Sequence, residues 1–160
     1  RGLGRLGRLQ GAEIRMTRRP PQPRSAYHAF REIQTRWKDN DTYGHINNVT
    51  YLSYFDTVVS LWQIEQGMEI AQEGGLRFLV VESGATYHAE ARFPDVLHAG
   101  IRVGKLGTSS VRFEIGIFRN DENIACVEGF FVHVAVDPDT RPTPIPHTAR
   151  ARLEGIMVKG

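Results

Sequence analysis

The sequence predicts an α+β domain in which one long helix is wrapped by a curved antiparallel sheet of five to six strands. Three observations carry this expectation. One strong helical stripe spans about residues 48–66, and everything after Leu76 has the two-residue period of strands. Short turns separate those strands, whereas a parallel sheet needs helices between them.

The elements follow in order. Tyr27 to Trp37 reads as a first strand, because Phe30, Ile33, Thr35 and Trp37 suit a pleated surface. A turn-rich stretch, Lys38 to His45, leads into the helix, where Val49, Leu52, Phe55, Val58, Val59 and Trp62 form an apolar stripe. Asn47 or Asn48 can cap its N-terminus with a side-chain oxygen, and Gly67 can take the left-handed conformation that ends helices. Strands are expected at Phe78 to Glu82 and Thr86 to Phe93, with a break near Gly84, then at Leu97 to Leu106 and Val111 to Arg119. Asn120-Asp121-Glu122-Asn123 reads as a tight hairpin turn, Ile124 to Val136 returns, and Ala149 to Val158 is a short terminal helix.

A chain of 160 residues fits one domain with a sizeable core. Residues 27–160 are assigned to it and residues 1–26 to a disordered basic and proline-rich tail. The first 31 residues carry eight arginines against Glu13 alone, while the rest is net acidic. The basic pI therefore belongs to the tail, and the folded part does not look like a nucleic-acid binder. The tail resembles a transit peptide in composition, but Met16 is expected to mark the true translation start. Gly2-Leu3-Gly4-Arg5-Leu6-Gly7 matches the dinucleotide-binding pattern letter for letter, yet no strand precedes it, so it is rejected. No apolar run approaches the ~20 residues of a membrane span. The lone Cys126 suits a reducing compartment and reads as a small buried hydrophobe. A soluble, cytoplasmic protein is expected.

The segment from Arg36 to Asp56 carries the chemistry. Asp39 and Asp41 stand in a tight loop just before the helix, whose first-turn amides point outward unpaired. Such an end can hold a developing oxyanion, and a carboxylate beside it can attack a carbonyl or activate water. Acyl transfer or hydrolysis is one reading; the other is that both aspartates only organise a turn and cap the helix. Spacing alone leaves these even.

The run Asp39-Asn40-Asp41-Thr42-Tyr43-Gly44-His45-Ile46-Asn47-Asn48-Val49-Thr50-Tyr51-Leu52-Ser53-Tyr54-Phe55-Asp56 resembles the signature D-x-D-x-x-G-H-x-N-N-x-x-Y-x-x-Y-F-D of hotdog-fold acyl-CoA thioesterases of the 4-hydroxybenzoyl-CoA thioesterase type. Weaker similarity extends over about residues 30–147. The resemblance implies a hotdog fold, a homodimer joined through a continuous sheet or a homotetramer of such dimers, and active sites between subunits. It implies that Asp41 is the catalytic carboxylate, as nucleophile or general base, and that the helix N-terminal amide falling on Asn48 polarises the thioester carbonyl. His45 is included as a loop-positioning or thioester-contacting residue, with Asp39 shaping the loop. Gly44, Asn47 and Tyr54 are assigned to substrate binding, Tyr54 as a residue of the core or the acyl pocket. The Leu106-Gly107-Thr108-Ser109-Ser110 turn matches the place where the family receives coenzyme A, which nominates Lys105, Ser109 and Ser110. Relatives carry more basic residues there; Arg102, Arg112 or the partner subunit are the candidates to replace them, and acyl carrier protein stays open as acyl donor.

No cofactor is expected beyond the coenzyme A of the substrate. No serine-nucleophile elbow is present, and the six histidines have no metal-ligand spacing, so no metal site is assigned. Glu82 is a possible second carboxylate but reads as a surface residue. Two rival readings accompany hydrolysis: an enoyl-thioester hydratase or dehydratase using Asp41 and His45, and a non-catalytic acyl-thioester binding module.

Overall fold

Residues 19–70, 73 and 76–159 are described in the computed structural model of the chain. The elements are β1 (Ala29–Gln34), α1 (Asn48–Glu65), β2 (Arg77–Tyr87), β3 (Val96–Leu106), β4 (Ser110–Arg119), β5 (Val127–Val136) and α2 (His147–Glu154). The strands form one five-stranded sheet in the order β1-β3-β4-β5-β2, with every pairing antiparallel. One long helix against one antiparallel sheet is the α+β architecture that the periodicity predicts.

The inward faces of β3 and β4 follow the two-residue period. On β3 and β4, Leu97, Ala99, Ile101, Val103, Val111, Phe113, Ile115 and Ile117 point inward and are buried. From α1, Phe55, Val58, Val59 and Trp62 meet them, with Trp62 edge-on to Phe113 at 6.0 Å and Phe55 edge-on to Phe131 of β5 at 6.4 Å. Each such side chain contributes about 1.5–3 kcal/mol on burial. Gly129 of β5 permits the approach, since a Cβ there would lie 2.1 Å from the Phe55 ring.

Asn47 is the N-cap: its side chain accepts the Val49 N–H, and α1 begins at Asn48. Gly67, at φ +71°, ends the turn after the helix. The buried stripe differs from the expected one. Tyr51, Tyr54 and Gln63 face the core, whereas Val49 is 61% exposed. Val49 lies about half a turn from Tyr51, and the face carrying 51, 54, 55, 58 and 62 is the wider apolar surface.

Several boundaries also move: β1 is shorter than expected at both ends, β5 begins at Val127, and α2 begins at His147 and ends at Glu154. The sheet does not break at Gly84: β2 is one strand of eleven residues with an irregularity between Val80 and Glu82. Beyond Tyr87 the chain leaves the sheet, where the amides of His88 and Ala89 share the Cys126 carbonyl, and it continues through the cis Phe93–Pro94 bond. The expected disorder up to residue 26 does not hold for residues 22–26. Arg24 donates to the carbonyls of Glu122 and Asn120 at 2.8 and 2.6 Å and covers the Phe118 ring, pinning the segment to the β4–β5 turn. The tail and start-site expectations for residues 1–18 lie outside the described residues. Among the described residues no helix is long and apolar enough to cross a membrane.

Candidate active site

The loop between β1 and α1 is built on Asp39. One 3₁₀ turn, Trp37–Asp39, drops this residue into the interior, where it is 3% exposed. Its carboxylate accepts the Tyr54 hydroxyl at 2.7 Å, the Arg36 backbone N–H at 2.9 Å and the Arg36 guanidinium at 3.0 Å. Burial alone pushes the Asp39 carboxyl up; the Tyr54 and Arg36 hydrogen bonds outweigh it and hold the group below its ordinary value. The same contact, after burial, raises the Tyr54 hydroxyl. Tyr54, nominated for substrate binding, is thus directed to Asp39 and anchors the loop from within the core.

Asp41 stands two residues on, at the surface. Its Oδ1 accepts the Tyr43 N–H at 2.9 Å and, weakly, the His45 N–H at 3.5 Å, which makes an Asx-type turn. Its N–H donates to the His45 carbonyl at 2.8 Å, and its carbonyl accepts from Gly44 at 3.1 Å. Gly44 sits at φ +80°, where a side chain would strain the turn. The second carboxylate oxygen, Oδ2, has no protein donor among the described residues.

Two ties bring this turn to the helix. The Asn47 N–H donates to the Asp39 carbonyl at 2.9 Å, and the Ile46 N–H to the Ala91 carbonyl at 2.8 Å. Asn47 then serves the amides of Val49 and Thr50, while the Asn48 N–H has no acceptor among the described residues. Tyr87 of β2 donates its hydroxyl to the Asn48 carbonyl at 3.0 Å. His45 is paired through Nε2 with Glu90 at 2.9 Å. Glu90 escaped the sequence reading because only the folded 88–95 segment carries it there.

Lys105, Ser109 and Ser110 do not join this cluster within one chain. β3 starts beside the loop: the Thr35 hydroxyl bonds the Asp95 carbonyl at 2.6 Å, and the Phe93 N–H bonds Asn40 at 3.1 Å. The strand then runs eleven residues, about 35 Å, to the turn that holds the two serines. At that far end the fold supplies a cation that the sequence reading did not find. Arg150 of α2 donates to the carbonyls of Gly107 and Thr108 at 2.5 and 3.0 Å, beside a cavity of about 500 Å³. Among the partly buried described arginines, Arg24 and Arg150 alone have no carboxylate partner. Arg102 and Arg112 are both bound to Glu114.

Glu82 and Cys126 stand where the sequence reading puts them, at the surface and in the core. Glu82 lies exposed on β2. Cys126 is buried, and burial pushes its thiol up to about 11, away from nucleophilic use. Among the described residues no group of three His, Cys, Asp or Glu side chains could hold a metal ion.

A loop carboxylate with one free oxygen thus stands ahead of an unpaired helix amide, on a helix packed against an antiparallel sheet. The family profile described as thioesterase-like superfamily matches residues 35–153, from the end of β1 into α2. The chain belongs to the thioesterase-like superfamily. An uncharacterised acyl-CoA thioester hydrolase of Zymomonas mobilis is 30% identical to this superfamily member over 92 residues, which cover 54% of the chain and 62% of that relative. The chain therefore spans less than two thirds of that relative's length. A protein of Pseudomonas aeruginosa superposes with a TM-score of 0.84 at 42% identity, covering 88% of this chain and 99% of its own. A Thermus thermophilus thioesterase solved with coenzyme A and zinc superposes with a TM-score of 0.68 at 25% identity, covering 84% and 98%. The family is established at the level of the superfamily, coarser than the 4-hydroxybenzoyl-CoA type.

Proposed function

We propose that this chain hydrolyses acyl-CoA thioesters to free acid and coenzyme A, with Asp41 as nucleophile or general base and the Asn48 N–H polarising the thioester carbonyl. The observation that carries the reading is the division of labour at Asp41. Oδ1 holds the turn while Oδ2 remains unengaged, on a loop bonded directly to the start of α1. Oδ2 adds to the carbonyl carbon, or takes a proton from the water that does so. The oxygen's developing charge is met by the Asn48 N–H at the positive end of α1. The C–S bond then breaks and the coenzyme A thiolate leaves; on the nucleophilic route water then cleaves the resulting Asp41 acyl anhydride, which frees the acid and restores the carboxylate. Gly44 and Asn47 keep the backbone in register for this, and His45, held by Glu90, stands beside the turn.

The site is proposed to be completed by a second copy of the chain. β2 is an edge strand, and on it Val80 and Val81 are 51% and 60% exposed. Its Tyr87 end bonds Asn48. Its other end lies beside the serine turn: Leu79 pairs with Val134, Val134 with Ser110, and Ala135 bonds Ser109. Antiparallel pairing of β2 with its two-fold copy brings Asp41 and Asn48 of one subunit toward the partner's serine turn, which closes the 35 Å gap. Lys105, Ser109, Ser110 and Arg150 then receive the nucleotide end of coenzyme A. The assembly is a homodimer, or a homotetramer of two such dimers, acting in the cytoplasm without a further cofactor. Acyl carrier protein is the alternative donor.

The bonds from Tyr43 and His45 to Asp41 favour one rival, an acyl-thioester binding module in which Asp41 is only a turn residue. Asp41→Asn separates the two, because asparagine keeps the Oδ1 acceptor and replaces the charged Oδ2 by a neutral amide nitrogen. Hydrolysis predicts that thiol release from acyl-CoA falls about a hundredfold or more while ligand binding persists. Near wild-type release in the variant would defeat the proposal. Loss of the enoyl absorbance of crotonyl-CoA with no free thiol would assign a hydratase instead.

A further inference from the structure

The sheet face turned away from α1 carries a second constellation. The Tyr27 ring lies flat on Gly100 and Gly116, where a Cβ would come within 2.8 and 2.5 Å of it, and the Phe130 ring lies over Gly84. A guanidinium covers each ring: Arg102 is 4.9 Å from the Tyr27 centroid and Arg112 is 3.7 Å from the Phe130 centroid. Together with Thr86 of β2 and the chain around Gln22, these stacks enclose a groove of about 610 Å³, within the range of small-molecule sites.

The groove is not neutralised by its own residues. Glu114 is occupied by Arg102 at 2.8 Å and Arg112 at 3.4 Å. Glu128 is occupied by His88 at 2.8 Å, the Gln22 N–H at 3.1 Å and the Tyr27 hydroxyl at 3.4 Å. Both carboxylates are thus met by protein donors. Arg112 commits only Nε, and its two terminal nitrogens have no acceptor among the described residues; Arg19 at the mouth adds a third cation with no carboxylate partner there. A guanidinium held flat on an aromatic ring presents paired donors in its plane for a carboxylate or phosphate. Its free face accepts a planar ring.

We propose that this groove binds a small organic anion bearing a planar ring, its carboxylate or phosphate paired with Arg112 and its ring laid against the guanidinium faces. The site lies on the opposite side of the sheet from α1 and is independent of the thioester reading. Nucleotides and aryl acids share this chemistry, so AMP and benzoate are titrated separately into the full-length protein by calorimetry. Saturable binding with a Kd of about 1 mM or tighter is expected for at least one, AMP alone marking a nucleotide site and benzoate alone an aryl-acid site. Arg112→Ala should weaken it about ten- to a hundredfold. Thr86→Trp, which fills the groove and leaves every charged group in place, should abolish it even if the arginine variant folds poorly. Failure of both ligands to bind, or a number of ligands bound per chain that is unchanged in Thr86→Trp, would overturn the assignment.

Discussion

Replacing Tyr54 by phenylalanine removes one oxygen, and with it the 2.7 Å hydrogen bond to the buried Asp39 carboxylate. The Arg36 bonds remain, so Asp39 stays ionised but less well satisfied. A hydrogen bond to a charged partner contributes about 1.5–3 kcal/mol, and for a chain of this size each kcal/mol moves Tm by about 2–4 °C. The variant should therefore melt about 3–12 °C below the parent at pH 7. The pH dependence has a definite sign. The native Asp39 carboxyl is held below its ordinary value of 3.8, so its stabilisation is complete above that value and is lost as pH falls through the native one. The gap between parent and variant should narrow as the pH drops below about 4. Calorimetric melts of both proteins from pH 7 downward measure this. Equal melting at pH 7, or a gap that widens in acid, would refute the account of the loop anchor.

Other consequences are testable in the same way. His133 is buried among Phe78, Phe113 and Phe131, with both ring nitrogens unpartnered among the described residues, and burial lowers it to about 4. A base lowered on folding costs stability as pH falls from its ordinary 6.5 toward 4. His133→Phe should flatten the stability–pH curve over that window, and an unchanged slope in denaturant titrations would contradict this. Arg150→Ala should raise KM for acyl-CoA about tenfold and leave kcat/KM for the matching acyl-pantetheine, which lacks the nucleotide, unaltered; equal losses on both substrates would remove Arg150 from phosphate recognition. Lysines at both Val80 and Val81 should yield monomers by ultracentrifugation and abolish thiol release. A fully active monomer would exclude a shared site.

What the sequence made legible was local. Asn47 and Gly67 announce the ends of α1 because capping and left-handed turns are written in single residues. The alternation on β3 and β4 is equally readable, since each face repeats every second residue. The choice between Val49 and Tyr51 as the inward residue was not, because only the sheet decides which side of a helix is covered. The loop was recognised as a motif, yet the burial of Asp39 on Tyr54 depends on a contact fifteen residues away. Arg150 is more distant still, 42 and 43 positions from the carbonyls that it holds, and no local pattern announces it. His45 and Glu90 meet for the same reason, through the return of the chain after β2.

Subunit complementation bears most directly on the central idea. One subunit carrying Asp41→Asn is combined with another carrying the Arg150→Ala and Lys105→Ala pair, and thiol release is followed after the two exchange. If Asp41 of one copy works with the turn of the other, each mixed dimer holds one intact site; half of the dimers are mixed after equimolar exchange, so activity returns toward about a quarter of the parent's. If both parts belong to the same chain, every site in the mixture keeps a defect, and activity stays at the level of the separate variants.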